Sequence, residues 1–193
     1  MLGLKLPTDL RWVNIAEQNI DEILTDHAFC EQKAVSNAIT FVVQYPENTD
    51  LVDAMLELAK EELSHLQMVH EKIKARGNFL GRERKDEYVN ELYKFIRKGH
   101  KRHIVLIDRL LFSALVEARS CERFKVLSEN IKDKDLSLFY RDLMISEATH
   151  YTLFLGFARK YAHGEDIDKR WKDFLEYEAA VISKYGRKET MHG

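Results

Sequence analysis

Six acidic and histidine side chains occur in this chain as two copies of one pattern, a lone glutamate followed about thirty residues later by Glu-x-x-His. The residues are Glu31, Glu62 and His65 in the first copy, and Glu117, Glu147 and His150 in the second. The lone acid precedes its motif by 31 and 30 residues, and the copies are offset by 86, 85 and 85. Four carboxylates and two imidazoles on four helices are the ligand set of a carboxylate-bridged di-iron or di-manganese centre. The pattern therefore predicts a pair of metal ions.

A single Glu-x-x-His is weak evidence, because it is usually an exposed acid beside a histidine that is hydrogen-bonded elsewhere. Residues three apart on a helix project to the same side, so the acid and the imidazole of each motif can approach one metal. The repeat, with its own upstream glutamate, is what favours metal binding. In the first copy Glu61 also precedes His65, but it lies off the apolar stripe, so we assign Glu62.

The apolar stripe of each predicted helix passes through these acids. The stripes include Leu24, His27, Glu31 and Ala38; Met55, Leu58, Glu62, His65 and Val69; Leu110, Ala114, Glu117 and Cys121; and Leu143, Glu147, His150 and Phe154. A buried ionised carboxylate costs several kcal/mol without a partner. Two divalent cations would balance four glutamates, and neutral imidazoles would complete the coordination.

Composition indicates one all-α domain over residues 1–193. The chain is 45% hydrophobic, has only two prolines, and places most glycines where periodic segments end. No apolar run could span a bilayer, so no membrane partner is expected. The N-terminus lacks the features of a secretory signal, which favours a cytoplasmic location. Two cysteines without Cys-x-x-Cys spacing argue against a disulfide framework or a zinc knuckle.

The helices are expected in a ferritin-like order. Helices are predicted at about 12–44, broken near Asn19, and at about 50–77, 85–98, 100–131, 134–163 and 165–185. The long connection between His65 and Glu117 is typical of a crossover in such bundles. The prediction is a ferritin-like four-helix bundle with a long crossover connection and an extra C-terminal helix.

Basic residues are concentrated at the predicted start of the 100–131 helix. They are Arg97, Lys98, His100, Lys101, Arg102 and His103. With a net charge of only −2, an anionic partner would need such a local patch. Clusters of this kind can contact phosphates without reading base sequence, although a solvated helix start is the more common interpretation.

Five segments give the chain a more specific resemblance. The segments are LPTDLRWV, ILTDHAFCEQKA, LAKEELSHLQMV, LVEARSCERFKVL and SEATHYTLFLGFARKYA. Together they resemble the bacterial tRNA hydroxylase family MiaE, over nearly the whole chain. The resemblance implies a non-haem di-iron monooxygenase that uses O₂ to hydroxylate the isopentenyl side chain of 2-methylthio-N-isopentenyl-adenosine beside the anticodon. The six residues above match the family's ligand positions.

The resemblance also implies partners. The candidate tRNA contacts are then Arg97, Lys98, Lys101 and Arg102. One oxygen atom of O₂ leaves as water, which requires two external electrons. The chain has no flavin or nicotinamide fingerprint and no cysteine-rich cluster. A ferredoxin or reductase is therefore the expected electron donor.

Three alternatives remain open at the level of the residues. A ferroxidase or iron-storage protein would share the fold, and a manganese catalase would share the ligands. A non-enzymatic helical bundle would bind no metal at all.

Overall fold

The computed structural model describes residues 2–186 and 188–192. In chain order the helices are α1 (Arg11–Gln18), α2 (Ile20–Gln44), α3 (Thr49–Ala75), α4 (Glu87–Tyr93), α5 (Arg102–Asn130), α6 (Lys134–Lys160) and α7 (Ile167–Tyr185). Within these described ranges there is no strand, and no helix has the length and apolar character needed to cross a membrane. The all-α prediction is confirmed, and the predicted break near Asn19 separates α1 from α2.

Helix ends follow the local sequence. Asp86, Asp133 and Asp166 precede α4, α6 and α7, and each carboxylate accepts a backbone N–H from the first turn of its helix. This satisfies donors that a helix start otherwise leaves unpaired. After α3, Gly77 adopts a φ of +78°, a left-handed conformation that ends helices most easily at glycine. The helix predicted at 85–98 is shorter than expected, because α4 ends at Tyr93.

The described chain forms two compact units. The α2–α3 unit comprises residues 19–85 and 189–191, and the α5–α6 unit comprises residues 2–18, 86–186, 188 and 192. Whether they constitute the single predicted domain stays a prediction.

In the α2–α3 unit, the two long helices are joined by residues 45–48 and run antiparallel. Their apolar stripes are buried, as shown by the absence of exposed surface on Leu24, Phe41 and Met55. The backbone N–H of Met191 donates to Asp26 Oδ2 at 2.7 Å, which fixes a short C-terminal segment onto α2.

In the α5–α6 unit, residues 131–133 join two further antiparallel helices. The predicted C-terminal helix is present as α7, which packs against α4 and α5. Its stripe is buried, from Ile167 through Trp171 and Phe174 to Ile182.

Helix α5 is buried around most of its circumference, including several charged residues. Arg119 is fully buried, donating to Glu178 Oε1 on α7 from Nε at 2.9 Å and to Glu122 Oε2 from Nη1 at 2.9 Å. Glu122 Oε1 in turn accepts the backbone N–H of Thr8 at 2.7 Å. Buried charges are tolerated when they are paired in this way. The network ties α7 and the N-terminal segment to α5.

A second polar cluster attaches His192, near the C-terminus, to α5 and to the residue before α4. His192 Nε2 lies 3.0 Å from Ser120 Oγ, and its Nδ1 lies 3.2 Å from Asp86 Oδ2. The order of partners is that of a nucleophilic triad, but Ser120 lies within α5 and is only 8% exposed. Neighbouring backbone N–H groups are used in helical hydrogen bonds, so they cannot stabilise an oxyanion. The cluster is a structural attachment of the C-terminal residues.

Candidate metal-binding triads

The first predicted ligand set is assembled within the α2–α3 unit. Glu31 on α2 and Glu62 and His65 on α3 are buried, and one ligand atom of each lies within 4.8 Å of the other two. His65 Nδ1 is 3.2 Å from Glu62 Oε2 and 3.7 Å from Glu31 Oε2. The structure therefore brings all three residues of the first copy together, and we call them the α2–α3 triad.

His27 is the nearest polar neighbour of this triad. Its Nε2 lies 2.6 Å from Glu31 Oε1, one helical turn away, and the imidazole has no exposed surface. The carboxylate accepts this hydrogen bond, so Glu31 keeps Oε2 directed towards His65. Hydrogen bonds of this kind orient metal ligands. His27 positions Glu31.

The α2–α3 triad attracts positive charge. Burial by itself lowers the pKa of His65, but hydrogen bonds to Glu31 and Glu62 outweigh it and raise that pKa to about 10. Burial likewise opposes the negative charge of Glu31, yet the contacts with His27 and His65 hold its pKa far below the ordinary range. Glu31 and Glu62 thus place carboxylate oxygens around the buried His65, an arrangement that favours a positive charge.

The second ligand set is assembled within the α5–α6 unit. Glu117 on α5 and Glu147 and His150 on α6 are buried, and one ligand atom of each lies within 4.8 Å of the other two. His150 Nδ1 is 4.0 Å from Glu147 Oε1. We call these residues the α5–α6 triad. Both copies of the sequence pattern are therefore realised as local clusters.

Ser146 lies beside this second triad and was missed in the sequence. Its Oγ is 3.5 Å from His150 Nε2, at the edge of hydrogen-bonding distance. The available signal was its position four residues before His150, which places both on one helix face.

The chemistry of the donor set fits iron or manganese. Each triad offers two carboxylates and one imidazole, which are hard and borderline ligands suited to these divalent metals. Neither cysteine adds a thiolate to this set. Cys121 is buried and its Sγ donates to the carbonyl oxygen of Met144 at 3.2 Å, and both cysteines are free thiols. Burial and the nearby acids raise the pKa of Cys121 to about 11.

The choice between the two neighbouring acids on α3 agrees with their burial. Glu62 is 1% exposed, whereas Glu61 is on the exposed side of α3. Metal binding by any of the six residues stays a prediction.

The predicted tRNA contacts lie at the turn before α5 and at its first residue. Arg97 donates to Asp108 Oδ1 from Nη2 at 2.9 Å and to Glu165 Oε2 from Nη1 at 3.0 Å, so its charge is engaged within the α5–α6 unit. Lys98 Nζ lies 5.5 Å from the ring centre of Tyr93. Lys101 and Arg102 are exposed. Contact of these four residues with tRNA stays a prediction.

Fold and triads together define a class, the all-α proteins whose long helices carry buried clusters of glutamate and histidine side chains. Comparison with known proteins identifies the group within that class. A family model described as tRNA-(MS2IO6A)-hydroxylase (MiaE) matches residues 2–193. The chain belongs to the MiaE family.

Two curated relatives carry the name tRNA 2-(methylsulfanyl)-N(6)-isopentenyladenosine(37) hydroxylase. The protein of Pseudomonas putida is 37% identical over 164 residues, covering 85% of this chain and 78% of the relative. The protein of Salmonella typhimurium is 31% identical over 238 residues, covering 98% of this chain and 87% of the relative.

A solved structure is also similar. It is described as protein 43 with aldehyde deformylating oxygenase activity from Synechococcus. The TM-score is 0.91 and the identity 34%, with 98% of this chain and 95% of that chain covered. This likeness confirms the ferritin-like fold class predicted from the sequence.

Proposed function

We propose that this chain hydroxylates the isopentenyl side chain of 2-methylthio-N6-isopentenyladenosine, next to the anticodon of tRNA, with O₂ as co-substrate. Membership of a tRNA hydroxylase family over residues 2–193 is the observation that carries the proposal. The names of the two curated relatives support the same substrate. A cytoplasmic location follows from a tRNA substrate.

We further propose that the two triads together hold two iron ions. Four glutamates balance two Fe²⁺ ions in charge, and His65 and His150 each provide one neutral nitrogen. When bound, the iron pair would supply the activation of O₂ that C–H hydroxylation needs. Burial of each triad supports this assignment, because four interior acids are otherwise costly to ionise.

Residues around the triads orient the proposed ligands and exclude water. His27 orients Glu31 through its hydrogen bond, and the side chains next to the triads exclude water. Ala38 on α2 and Ala114 and Phe154 in the α5–α6 unit are almost fully buried on the ligand stripes. A dry, apolar surrounding suits a prenyl group and protects an oxidant from side reactions.

The reaction must balance as R–H + O₂ + 2e⁻ + 2H⁺ → R–OH + H₂O. The C–H bond and the O–O bond break, and C–O and O–H bonds form. The chain carries only two cysteines, and no flavin or nicotinamide fingerprint stands in its sequence. We therefore propose that a separate ferredoxin or reductase delivers the electrons.

Mass spectrometry of tRNA nucleosides tests the proposal. Iron-loaded protein, a chemical reductant and ¹⁸O₂ are incubated with tRNA that carries the prenylated adenosine. We expect a nucleoside heavier by one ¹⁸O atom, and at most one product molecule per pair of ferrous ions when the reductant is omitted. A product that carried oxygen from water, or an unchanged nucleoside while O₂ is consumed, would contradict the proposed hydroxylation.

The Synechococcus structure gives a second activity to assay, since that protein has aldehyde deformylating oxygenase activity. An aldehyde is supplied to the same iron-loaded protein. Aldehyde consumption without any change in tRNA would favour this second candidate.

A further inference from the structure

The segment that follows α3 displays an exposed aromatic ring. Phe79 is 82% exposed and makes no ring contact with any residue that the structure describes. It lies between Gly77 and Gly81, in a stretch without regular secondary structure that begins where α3 ends. We call residues 77–85 the Phe79 loop. Phe79 is the most exposed large apolar side chain of the described residues, so its ring is available to a binding partner.

The Phe79 loop is attached to α2 on the C-terminal side of the ring. A Cβ at Gly81 would lie 3.0 Å from Cγ2 of Thr25, so the backbone passes directly over α2. Two residues later, Glu83 forms an ion pair with Lys33 at 3.0 Å. On the other side of the ring, the backbone N–H of Asn78 donates to the carbonyl oxygen of Ile73 at 3.2 Å. The backbone on either side of Phe79 therefore contacts α3 or α2.

Basic residues are concentrated in the sequence on both sides of Phe79. Residues 72–85 contain six basic residues and one acid, a net charge of +5 in a chain whose total is −2. Arg76 and Arg84 are paired with acids of α2, Asp21 and Glu22, and Lys74 is paired with Glu71, just outside this stretch. Arg82 and Lys85 are exposed and form no ion pair within the described part of the chain. The side chains of Arg82 and Lys85, on either side of Glu83, are therefore available to bind phosphate groups.

We infer that the Phe79 loop binds unpaired nucleotides of the tRNA substrate, with a base stacked on Phe79 and phosphates contacted by Arg82 and Lys85. The inference rests on the proposed function. Unstacked bases in RNA loops are bound on aromatic faces, and cations beside the ring contact the backbone. Because stacking accepts any base, the Phe79 loop would position the RNA without reading its base sequence.

The position of the loop along α3 fits a nucleotide near the modified one. Ala75, the last residue of α3, follows His65 by ten residues, which corresponds to about 15 Å along the helix axis. Phe79 lies beyond that end. A base stacked on Phe79 is separated from the α2–α3 triad by several nucleotide steps. It would therefore be a neighbour of the modified adenosine in the same loop of the RNA.

Binding of an anticodon stem-loop RNA tests the inference. Fluorescence anisotropy with the iron-loaded protein gives Kd for an RNA with an unmodified adenosine next to the anticodon. We expect Phe79→Ala to weaken binding about 5- to 160-fold, whereas Phe79→Trp preserves it. We expect Arg82→Ala with Lys85→Ala to reduce the slope of log K against log salt by about 1.4. Val43→Ala, which removes another exposed apolar side chain of the same unit, should leave Kd unchanged.

An equal Kd for the wild type and Phe79→Ala would overturn the inference, as would a loss of binding in Val43→Ala of the same size. Failure of the wild type to bind the RNA would overturn it too. If Phe79→Ala weakened binding to anionic phosphatidylglycerol vesicles as much as it weakened binding to RNA, the Phe79 loop would be assigned to a membrane surface instead. Circular dichroism of each variant excludes unfolding as the cause.

The outcome is separable from the proposed function. Hydroxylation of tRNA with no effect of Phe79→Ala on binding or on KM would reject this surface and leave the hydroxylase assignment intact. Phe79-dependent RNA binding without any hydroxylation would support this surface and reject the hydroxylase assignment. If both hold, Phe79→Ala should raise KM for tRNA and leave turnover of the free modified nucleoside unchanged.

Discussion

Oε2 of Glu62 lies 3.2 Å from Nδ1 of His65, three residues further along α3, while the adjacent Glu61 is exposed. Two neighbouring acids of the same type thus occupy opposite environments. The pair provides a matched test of the metal ligands.

Replacement of Glu62 by alanine should strongly weaken iron binding at the α2–α3 triad. Even residues that only orient a ligand typically change metal affinity by about 10- to 100-fold, so loss of a ligand should cost at least about 100-fold. Titration with Fe²⁺ under anaerobic conditions, followed by metal analysis, measures the effect. Glu61→Ala should bind iron as the wild type does. Equal iron content in both variants would remove Glu62 from the ligand set.

Replacement of Glu147 by alanine tests whether the triads act as one centre. If carboxylates are shared between two iron ions, the loss of Glu147 should lower the iron content from about two per chain to well below one, because each ion depends on the other's ligands. Asp142→Ala, an exposed acid on the same helix, is the control. Retention of one iron with unchanged affinity would show that each triad binds metal independently.

Asp108 should make the fold sensitive to acid. It is fully buried, and burial raises its pKa, but hydrogen bonds from Arg170 and Arg97 outweigh this effect and lower it. A carboxylate with a depressed pKa stabilises the fold above its unfolded pKa of about 3.9, and this contribution is lost as the pH falls through the folded pKa.

Asp108→Asn should therefore lower the free energy of unfolding at pH 7 by about 1–3 kcal/mol, because two partly exposed arginines, Arg97 and Arg170, lose an ionised hydrogen-bond partner. The difference from the wild type should shrink below about pH 4. Urea denaturation between pH 3 and 7 measures both. A constant difference at every pH would refute an ionic role for Asp108.

The two thiols should differ in reactivity. Cys121 has no exposed surface and a pKa raised to about 11, so at pH 8 only about 0.1% of it is thiolate. Cys30 is partly exposed. Reaction with a chromogenic disulfide should show one fast thiol, which Cys30→Ala removes and Cys121→Ala retains. A fast phase that survives in Cys30→Ala would contradict the burial of Cys121.

Much of the fold and the ligand pairs followed from periodicity. Glu62 could be chosen over Glu61 because only one of them shares a face with Met55 and Val69, and the structure buries that face. The break at Asn19 was also foreseen. Such features depend on neighbours three or four residues away, which a sequence displays directly.

Other features depend on residues far apart in sequence. Arg97 looked like part of a basic surface, but its partners Asp108 and Glu165 are 11 and 68 residues away. Arg119 and Glu178 are separated by 59 residues and neutralise each other in the interior. Charged residues on α5 gave no sign of burial, because nothing local distinguishes a solvated charge from one paired across the fold.

Each triad lies on one helical hairpin, closed by residues 45–48 or by residues 131–133. The three residues of a triad therefore meet as soon as one short turn closes and the two helices pack. Contacts of this local kind form early in folding, since little loop entropy is lost. We expect each set of ligands to be in place while the rest of the chain is still folding, so that a nascent hairpin already presents two carboxylates and an imidazole to a metal ion.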